Sequence, residues 1–439
     1  MTRKQTAVAL GLLAAINAFG FLDRVMIALI AEKIKAEFLV TDLQIGLLGG
    51  TAFAVVNALA SVPIALMAER FKRTHVTTLF LLLASVFTAL AGATASFGQL
   101  VACRLGMAAG NAATEAPPHS IISDMVPPEK RASAISIFML GVPVAALLGS
   151  FLGGAIAEAF GWRNTFLFFG VLGGLIALLC LVLLKEPPRL SPPQDRKRSP
   201  WLVVRTMALN PTLRFLILGI SCISLGSFGV NTFLPAFFSR EHGLNAGEAG
   251  LAFGMISGIA SLVGTLAGGY GSEFLARRDR RWLLGAPAIG SIMGVPLFNI
   301  GLHSPSLLVA IPIMLLGSFT FYTAMGPAIA TLHGSLDSYA RATGSALFLL
   351  VVHMIGQGFG PPLVGIVSDT ASTLIYGSGF GVDCAGAAAQ IAGSTCARAS
   401  ALGLRYAIAI FSCFFLLGGL LLWLASRAES ENSGPMASD

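Results

Sequence analysis

The chain has 439 residues, of which 55% are hydrophobic and only 11% are charged, with a net charge of +7 and a mean hydropathy of +0.80. A soluble domain carries about 25% charged residues, so this sequence lacks the polar surface that would keep a globule in solution. The composition excludes soluble enzymes, coiled coils and disordered chains, and it indicates an integral membrane protein.

Twelve stretches are apolar over about 20 residues or more, which is the length that a helix needs to cross a membrane. In chain order they are 6–30, 43–68, 75–95, 99–122, 132–157, 164–184, 213–238, 247–272, 283–302, 306–331, 343–368 and 402–425. The first is not expected to be a cleaved signal peptide, because Asp23 and Arg24 interrupt its end. The prediction is an all-α integral membrane protein with twelve transmembrane helices.

Lysine and arginine residues are distributed unevenly between the predicted loops. If the N-terminus is cytoplasmic, twenty of the 28 basic residues lie on the cytoplasmic side and six on the opposite side, while Arg24 and Arg104 lie within the membrane. This bias follows the positive-inside rule, so we expect a multi-pass protein of the cell membrane with both termini in the cytoplasm. It also accounts for the net positive charge without a nucleic-acid partner.

A polar stretch rich in proline and arginine divides the twelve helices six and six. We predict an N-terminal bundle over 1–188, a cytoplasmic linker over 189–212, a C-terminal bundle over 213–427 and a cytoplasmic tail over 428–439.

The two predicted bundles share an internal spacing. Gly46 precedes Glu69 by 23 residues, and Gly250 precedes Glu273 by the same number. The motif KRASA at the start of the fifth helix is matched by ARATG at the start of the eleventh. Two homologous six-helix halves are typical of secondary transporters, which bind the substrate between the halves near the membrane midplane.

The stretch PIALMAERFKR after the second helix resembles the signature G-x-L-A-D-R-x-G-R-R of the major facilitator superfamily. Within that superfamily, FLDRVMIALIAEKIKAEF, RLGMAAGNAATEAPPHS and GPPLVGIVSD are similar to Spinster-type transporters. The resemblance implies the major facilitator fold, with two pseudo-symmetric bundles that work by alternating access. It also implies proton coupling, which many members have, and amphipathic lipid-like substrates, which some members carry.

The resemblance further implies a conformational latch at the cytoplasmic ends of the helices. Glu69 takes the acidic place of the signature, and Arg70 and Arg73 take basic places. Glu273 and Arg277 are their counterparts in the second half. The alternative is that these are solvated loop charges.

Five ionisable side chains lie well inside the predicted helices: Asp23, Arg24, Arg104, Glu115 and His353. A charge near the bilayer centre costs about 2.5–3.5 kcal/mol on insertion scales, so each needs a partner, a cavity or a function. From the helical rise of about 1.5 Å per residue, Asp23 and Arg104 lie at matching depths and could pair. We predict that Asp23 couples protons and that Arg24 and Arg104 bind an anionic substrate. The alternative is that the pair only fastens two helices together.

The family's fourth-helix motif R-x-x-x-G-x-G-E-A has an acid seven residues after the arginine, but counting from Arg104 gives Asn111. Glu115 lies one turn later on roughly the same face, so we predict that it takes over proton coupling and that Asn111 contacts the substrate.

Four residues of the second half are predicted to line the substrate cavity: Asn231, Tyr322, His353 and Gln357. His353 is the only ionisable group buried in that half, and Gln357 follows it by four residues. The alternative for His353 is a neutral core residue with a hydrogen bond.

Two cysteines, Cys384 and Cys396, fall in the predicted outer loop 369–401, where an oxidising compartment could join them. The sequence contains no G-x-x-x-x-G-K-[ST] phosphate loop, so ATP is not expected to drive the protein. No cofactor and no metal site are predicted.

The sequence thus predicts a secondary active transporter rather than an enzyme. It is expected to move an amphipathic lipid-like or organic anion by a proton-coupled rocker switch. The expected partners are that substrate, protons and membrane lipids, and the chain is expected to be a monomer. One alternative is a proton-driven exporter of drugs or organic solutes. An alternative of another class is a non-transporting membrane receptor or a lipid scramblase.

Overall fold

The structure, a computed structural model, describes residues 3–114, 116–127, 130–188, 200–337, 340–384 and 393–432. These ranges are helical and contain no strand. Ten helices within them are long and apolar enough to cross a membrane, and one of these spans Ser133–Leu183. That helix bends at Gly161, whose φ of 83° is a left-handed conformation that glycine adopts readily, and so it provides two crossings. The predicted all-α membrane fold is confirmed, and the described helices are consistent with twelve crossings.

We number the membrane helices α1 to α12 in chain order. In the N-terminal half they are α1 Arg3–Phe38, α2 Asp42–Arg70, α3 Arg73–Ala91, α4 Phe97–Asn111 with Ala116–Met125, α5 131–160 and α6 162–183. In the C-terminal half they are α7 Pro211–His242, α8 Ala246–Ala276, α9 Trp282–Leu302, α10 Leu307–Phe321 with Met325–Gly334, α11 Arg341–His353 continuing through Gly360–Tyr376, and α12 Thr395–Asn432. Two short helices, Pro200–Leu209 and Phe380–Asp383, lie outside this set.

Several helix boundaries differ from the sequence prediction. Helix α1 continues to Phe38 rather than ending near residue 30, because its polar last turns form ion pairs at the end of the bundle. Part of the predicted linker is the helix Pro200–Leu209, whose Val203 and Met207 are buried. Residues 189–199 of that linker and 433–439 of the predicted tail lie outside the described residues.

Four of the helices contain a π-helical turn at corresponding places in the two halves. The turns are Leu47–Thr51 in α2, Ala145–Gly149 in α5, Gly254–Ile259 in α8 and Met354–Phe359 in α11. They meet in pairs across the boundary between the halves, α2 against α11 and α5 against α8. The repetition of these turns supports a duplicated architecture. Because π turns are rare and often mark functional sites, it also indicates that the functional site lies at this boundary.

Glycines let the two halves approach closely at these pairs. A Cβ at Gly50 of α2 would lie 2.6 Å from the carbonyl oxygen of Gln357 in α11, and a Cβ at Gly250 of α8 would lie 2.5 Å from the carbonyl oxygen of Ser150 in α5. Neither position has room for a side chain, so the backbones are in direct contact.

We call the end of the bundle that holds the chain termini the near end and the opposite end the far end. Six cations lie at the far end, and five of them form ion pairs there, as Lys33–Glu158, Lys35–Asp42, Arg163–Glu37, Arg240–Glu32 and Arg405–Glu241. The sixth is Arg398, near the start of α12. Beside it, a disulfide joins Cys384 to Cys396, with their Cα atoms 5.3 Å apart.

Candidate functional site

A buried ion pair lies inside the N-terminal half. Nη1 of Arg104 in α4 lies 2.8 Å from Oδ2 of Asp23 in α1, and both side chains are 1% exposed. Nδ2 of Asn111, two turns further along α4, donates to the same carboxylate oxygen at 2.9 Å. The structure therefore brings together three residues that the sequence singled out, and Asn111 faces Asp23 from the position where the family motif has an acid.

The Arg104 guanidinium ties three helices together. Its Nε donates to the carbonyl oxygen of Leu48, in the π turn of α2, at 3.2 Å, and its Nη1 also donates to the carbonyl oxygen of Asp23 at 3.1 Å. Its Cζ lies 4.7 Å from the ring centre of Phe53. A planar group with five N–H donors can serve several acceptors at once, which a lysine cannot do.

Several polar atoms of this buried centre make no hydrogen bond within the described part of the chain. Oδ1 of Asp23, Nη2 of Arg104 and Oδ1 of Asn111 have no hydrogen-bond partner in the described part of the chain. Buried polar atoms in proteins are nearly always paired, so these three atoms need an explanation. Oδ1 of Asp23 thus has lone pairs that no hydrogen bond in the described part of the chain occupies.

Two other predicted residues lie beside this centre in the sequence. Arg24 is partly exposed, and its Cζ lies 5.0 Å from the ring centre of Phe53. Phe53 therefore has a guanidinium near its ring from both α1 and α4. Glu115, the second predicted proton-coupling residue, lies outside the described residues.

The C-terminal half contains a neutral polar cluster. Nδ2 of Asn231 in α7 donates to Oη of Tyr322 at 3.0 Å and to Oγ of Ser227 at 3.3 Å. Oγ of Ser257 in α8 donates to Oδ1 of Asn231 at 2.8 Å. The predicted Asn231 and Tyr322 thus belong to one cluster. The two serines were missed, although Ser227 precedes Asn231 by four residues, a spacing that sequence inspection could have used.

His353 and Gln357 both lie in α11 and differ in burial. His353 is half-buried with its ring centre 6.0 Å from that of Phe228, in an edge-to-face contact. Gln357 is buried in the π turn of α11. Their role in lining the substrate cavity stays a prediction.

At the near end, Arg73 is the most buried of the predicted latch residues. Its Nη1 lies 2.5 Å from Oδ2 of Asp124, and its Nε lies 2.8 Å from Oε1 of Glu186. Both partners belong to its own half. Four other residues of the predicted latch are exposed at the ends of α2 and α8 or just beyond, namely Glu69, Arg70, Glu273 and Arg277.

A second charged cluster, at the far end, was not predicted. Arg240 of α7 donates to Oε1 of Glu32 in α1 at 2.6 Å and to both carboxylate oxygens of Asp42 in α2, at 2.6 and 2.7 Å. Lys35 contacts the same Asp42 at 2.6 Å. Because Arg240 lies in the C-terminal half and its partners in the N-terminal half, this cluster joins the halves. The only hint in the sequence is that Arg240 is one of the few cations away from the predicted cytoplasmic side.

Comparison with known proteins gives consistent similarities. Residues 12–361 match the family model described as Major Facilitator Superfamily. An MFS-type efflux pump of Mycolicibacterium smegmatis is 27% identical, over 95% of this chain and 92% of its own length. The sphingosine-1-phosphate transporter SPNS2 of Danio rerio is 24% identical, over 83% of this chain and 76% of its own.

Among solved structures, the chain is similar to a bacterial homologue of the human lysosomal transporter Spinster in an inward-facing, unoccupied conformation. The TM-score is 0.88 and the sequence identity 28%, and the similarity covers 98% of this chain and 99% of the other.

Proposed function

The chain belongs to the Major Facilitator Superfamily as a Spinster-like transporter, and from that premise we propose that it is proton-coupled and carries an amphipathic lipid-like or organic anion. The observation that carries the proposal is the buried pair of Asp23 and Arg104, with one carboxylate oxygen unpaired.

The proposed coupling follows from the charges of this pair. While Asp23 is ionised, it holds the guanidinium of Arg104 at 2.8 Å. A proton on Oδ1 of Asp23 would neutralise the carboxylate and weaken that attraction. Arg104 could then bind an anionic head group through charge-assisted hydrogen bonds, which are stronger than neutral ones. Proton and anion would thus act on the same pair.

The other half of the proposed site suits the rest of an amphipathic molecule. The cluster of Asn231, Tyr322, Ser227 and Ser257 offers neutral hydrogen-bonding groups, and Phe228 and His353 offer aromatic surface. The relative from Danio rerio is named as a transporter of sphingosine-1-phosphate, a molecule with an anionic head and an apolar tail, which supports the same substrate class.

The contacts between the halves indicate at which end of the bundle the proposed substrate cavity opens. The inter-half hydrogen bonds and ion pairs described above involve Arg240 with Glu32 and Asp42, and they lie at the far end. The cavity would therefore open at the near end, where most basic residues lie. We infer that the near end is cytoplasmic, that both termini are in the cytoplasm of a cell whose plasma membrane the protein spans, and that a monomer alternates by rocking of its halves.

A second candidate is a proton-driven exporter of drugs or organic solutes. The supporting observation is the similarity to the efflux pump of Mycolicibacterium smegmatis, which extends over 95% of the chain. Such a pump would use the same Asp23 to couple protons but would not need an anion to bind Arg104.

The proposal is tested with purified protein in two steps. Thermal-shift measurements with lysolipids, sphingoid phosphates, organic anions and cationic drugs identify the ligand class, and a pH-sensitive dye inside proteoliposomes then reports proton movement when ligand is added. We expect anionic amphiphiles to bind and to drive proton flux. Binding of cationic drugs alone would favour the exporter, and binding without any flux would favour a receptor or scramblase.

A further inference from the structure

A carboxylate of α11 caps the start of α2 across the boundary between the halves. Oδ1 of Asp369 accepts a hydrogen bond from the backbone N–H of Asp42 at 3.1 Å, and Oδ2 accepts one from the N–H of Leu43 at 2.9 Å. The Asp42 side chain receives a further hydrogen bond from Ser368, the neighbour of Asp369, at 2.7 Å. The first turn of α2 is therefore bound to the other half through backbone and side chain together.

A carboxylate of α5 does the same for α8. Oε2 of Glu158 accepts a hydrogen bond from the backbone N–H of Ala246, the first residue of α8, at 3.3 Å. The same oxygen lies 3.1 Å from Nζ of Lys33 in α1. An N-terminal-half acid thus caps a C-terminal-half helix, the reverse of the contact made by Asp369.

The two helix starts that receive these carboxylates are related by the sequence repeat. Ala246 follows Asp42 by 204 residues, the same interval that separates Gly46 from Gly250 in the repeated sequence pattern. Both helices also begin with a local capping box, formed by Thr41 with Gln44 in α2 and by Asn245 with Glu248 in α8. The duplication has preserved the helix starts and a carboxylate from the opposite half at each.

Elementary electrostatics explains why these contacts would hold the far end together. The first N–H groups of a helix have no partner within the helix, and the helix dipole makes that end positive. A carboxylate from the other half satisfies both needs while the halves are in contact. Once the halves separate, water can hydrate the N–H groups and the carboxylate alike, so the contact is reversible.

We infer that Asp369 and Glu158 are gating residues, a matched pair of inter-half helix caps that hold the far end closed and separate when it opens. This inference rests on the proposed alternating access. Asp369 should contribute more, since it accepts two N–H bonds and binds beside the buried Asp42, whereas Glu158 accepts one long bond and its side chain is 46% exposed. Arg240 adds to the first cap through its own contacts with Asp42.

The test measures the distance across the far end by double electron–electron resonance between spin labels at Leu39 and Leu374, both exposed. It uses full-length protein whose free cysteines, Cys103, Cys180, Cys222 and Cys413, are replaced. A second label pair at Lys72 and Arg278 reports the near end.

We expect Asp369→Asn to raise the ratio of far-end-open to far-end-closed protein about tenfold, and Glu158→Gln about two- to threefold, because each variant removes a negative charge from a helix start. The near-end distance should shorten in step. Asp369→Glu, which keeps the charge, should restore much of the closed population.

The matched control is Glu37→Gln, which also removes a far-end carboxylate but breaks contacts to Arg163 and Trp162 within one half. Distance distributions for Asp369→Asn and Glu158→Gln that match this control would overturn the inference. If Asp369→Asn does not fold, Glu158→Gln decides alone. The readout needs neither substrate nor proton gradient, so a failure of the proposed substrate or coupling leaves it interpretable.

Discussion

Arg104 links three helices of the N-terminal half through its guanidinium. It contacts Asp23 in α1 and the carbonyl oxygen of Leu48 in α2 while belonging to α4. A buried charge without its partner is costly, so the pair constrains what substitutions the site accepts.

We predict that Arg104→Ala lowers the free energy of unfolding by about 3–5 kcal/mol, because it leaves the Asp23 carboxylate buried without a cation. Arg104→Lys should retain part of the stability and part of the anion affinity, since lysine can pair with Asp23 but not also reach Leu48 as the guanidinium does. Thermal unfolding and ligand titration measure both effects.

The control is the double variant Arg104→Ala with Asp23→Asn, which should recover stability because no lone charge remains. Equal stability of all three variants would contradict this account.

Glu186 gives the near end a pH-dependent stability. Burial alone would raise its pKa, but hydrogen bonds from Thr74 and the ion pair with Arg73 outweigh burial, and the pKa lies below the ordinary 4.5. A lowered folded-state pKa means that the stabilisation is present above pH 4.5 and is lost as the pH falls through the folded value.

We therefore expect Glu186→Gln to unfold at a lower temperature than the parent at pH 7, with the gap closing as the pH is lowered below about 4.5. Melting curves between pH 7 and pH 3.5 measure the gap. Glu273→Gln, which changes an exposed carboxylate at the same end, serves as the control and should show little gap at any pH. A gap for Glu186→Gln that persists unchanged to the lowest pH would exclude this assignment.

The sequence could predict those contacts of the candidate site that follow from the depth of a residue in the membrane. Asp23 and Arg104 could be matched because each is a rare charge in an apolar stretch and helical rise fixes its height. The partners of Arg240 could not be found in this way. Glu32 and Asp42 lie about 200 residues away in the chain, and only the packing of the halves brings them together.

At the scale of helices, the hydrophobic pattern predicted where the chain crosses the membrane but not where the helices are interrupted. The break in α4 after Asn111 and the four π turns do not change the hydropathy profile, because mostly apolar residues continue through them. The polar ends of α1 and α12 also escaped prediction, since a hydropathy scan stops where charged residues begin although the helix continues.

The close backbone contact between α2 and α11 should make the contact sensitive to a side chain at its glycines. A Cβ at Gly46 would lie 2.4 Å from the carbonyl oxygen of Pro361, whereas a Cβ at Gly174 in α6 meets nothing within 4 Å. Alanine favours helix by up to about 1 kcal/mol over glycine, so Gly174→Ala should be neutral or stabilising. Gly46→Ala should instead push the halves apart at the far end.

Ser368 of α11 is buried against Asp42 of α2, so the alkylation rate of a cysteine placed at Ser368 measures this opening. We expect Gly46→Ala to raise the rate several-fold while Gly174→Ala leaves it unchanged. Equal rates in both variants would show that this contact does not limit closure.

At the scale of the whole molecule, the duplication was predictable because short motifs repeat in register, and the structure extends it to contacts. Arg73, at the start of α3, pairs with Glu186 just after α6, and Arg280, just before α9, pairs with Glu429 near the end of α12, so each half has an ion pair between the start of its third helix and the end of its sixth. Which half-to-half contacts exist depends on the conformation of the transporter, and a single sequence carries no record of that.

The most direct test of proton coupling through Asp23 is transport by Asp23→Asn in proteoliposomes with an imposed pH gradient and a sphingoid phosphate as the probe. Asparagine keeps the size and an acceptor oxygen but cannot carry the negative charge or release a proton. The control is Glu37→Gln, which removes a carboxylate at the far end, outside the proposed site. We expect the gradient to drive transport in the parent and in the control, and Asp23→Asn to fold yet give no response to the gradient. Gradient-driven transport by Asp23→Asn at the parent rate would contradict it.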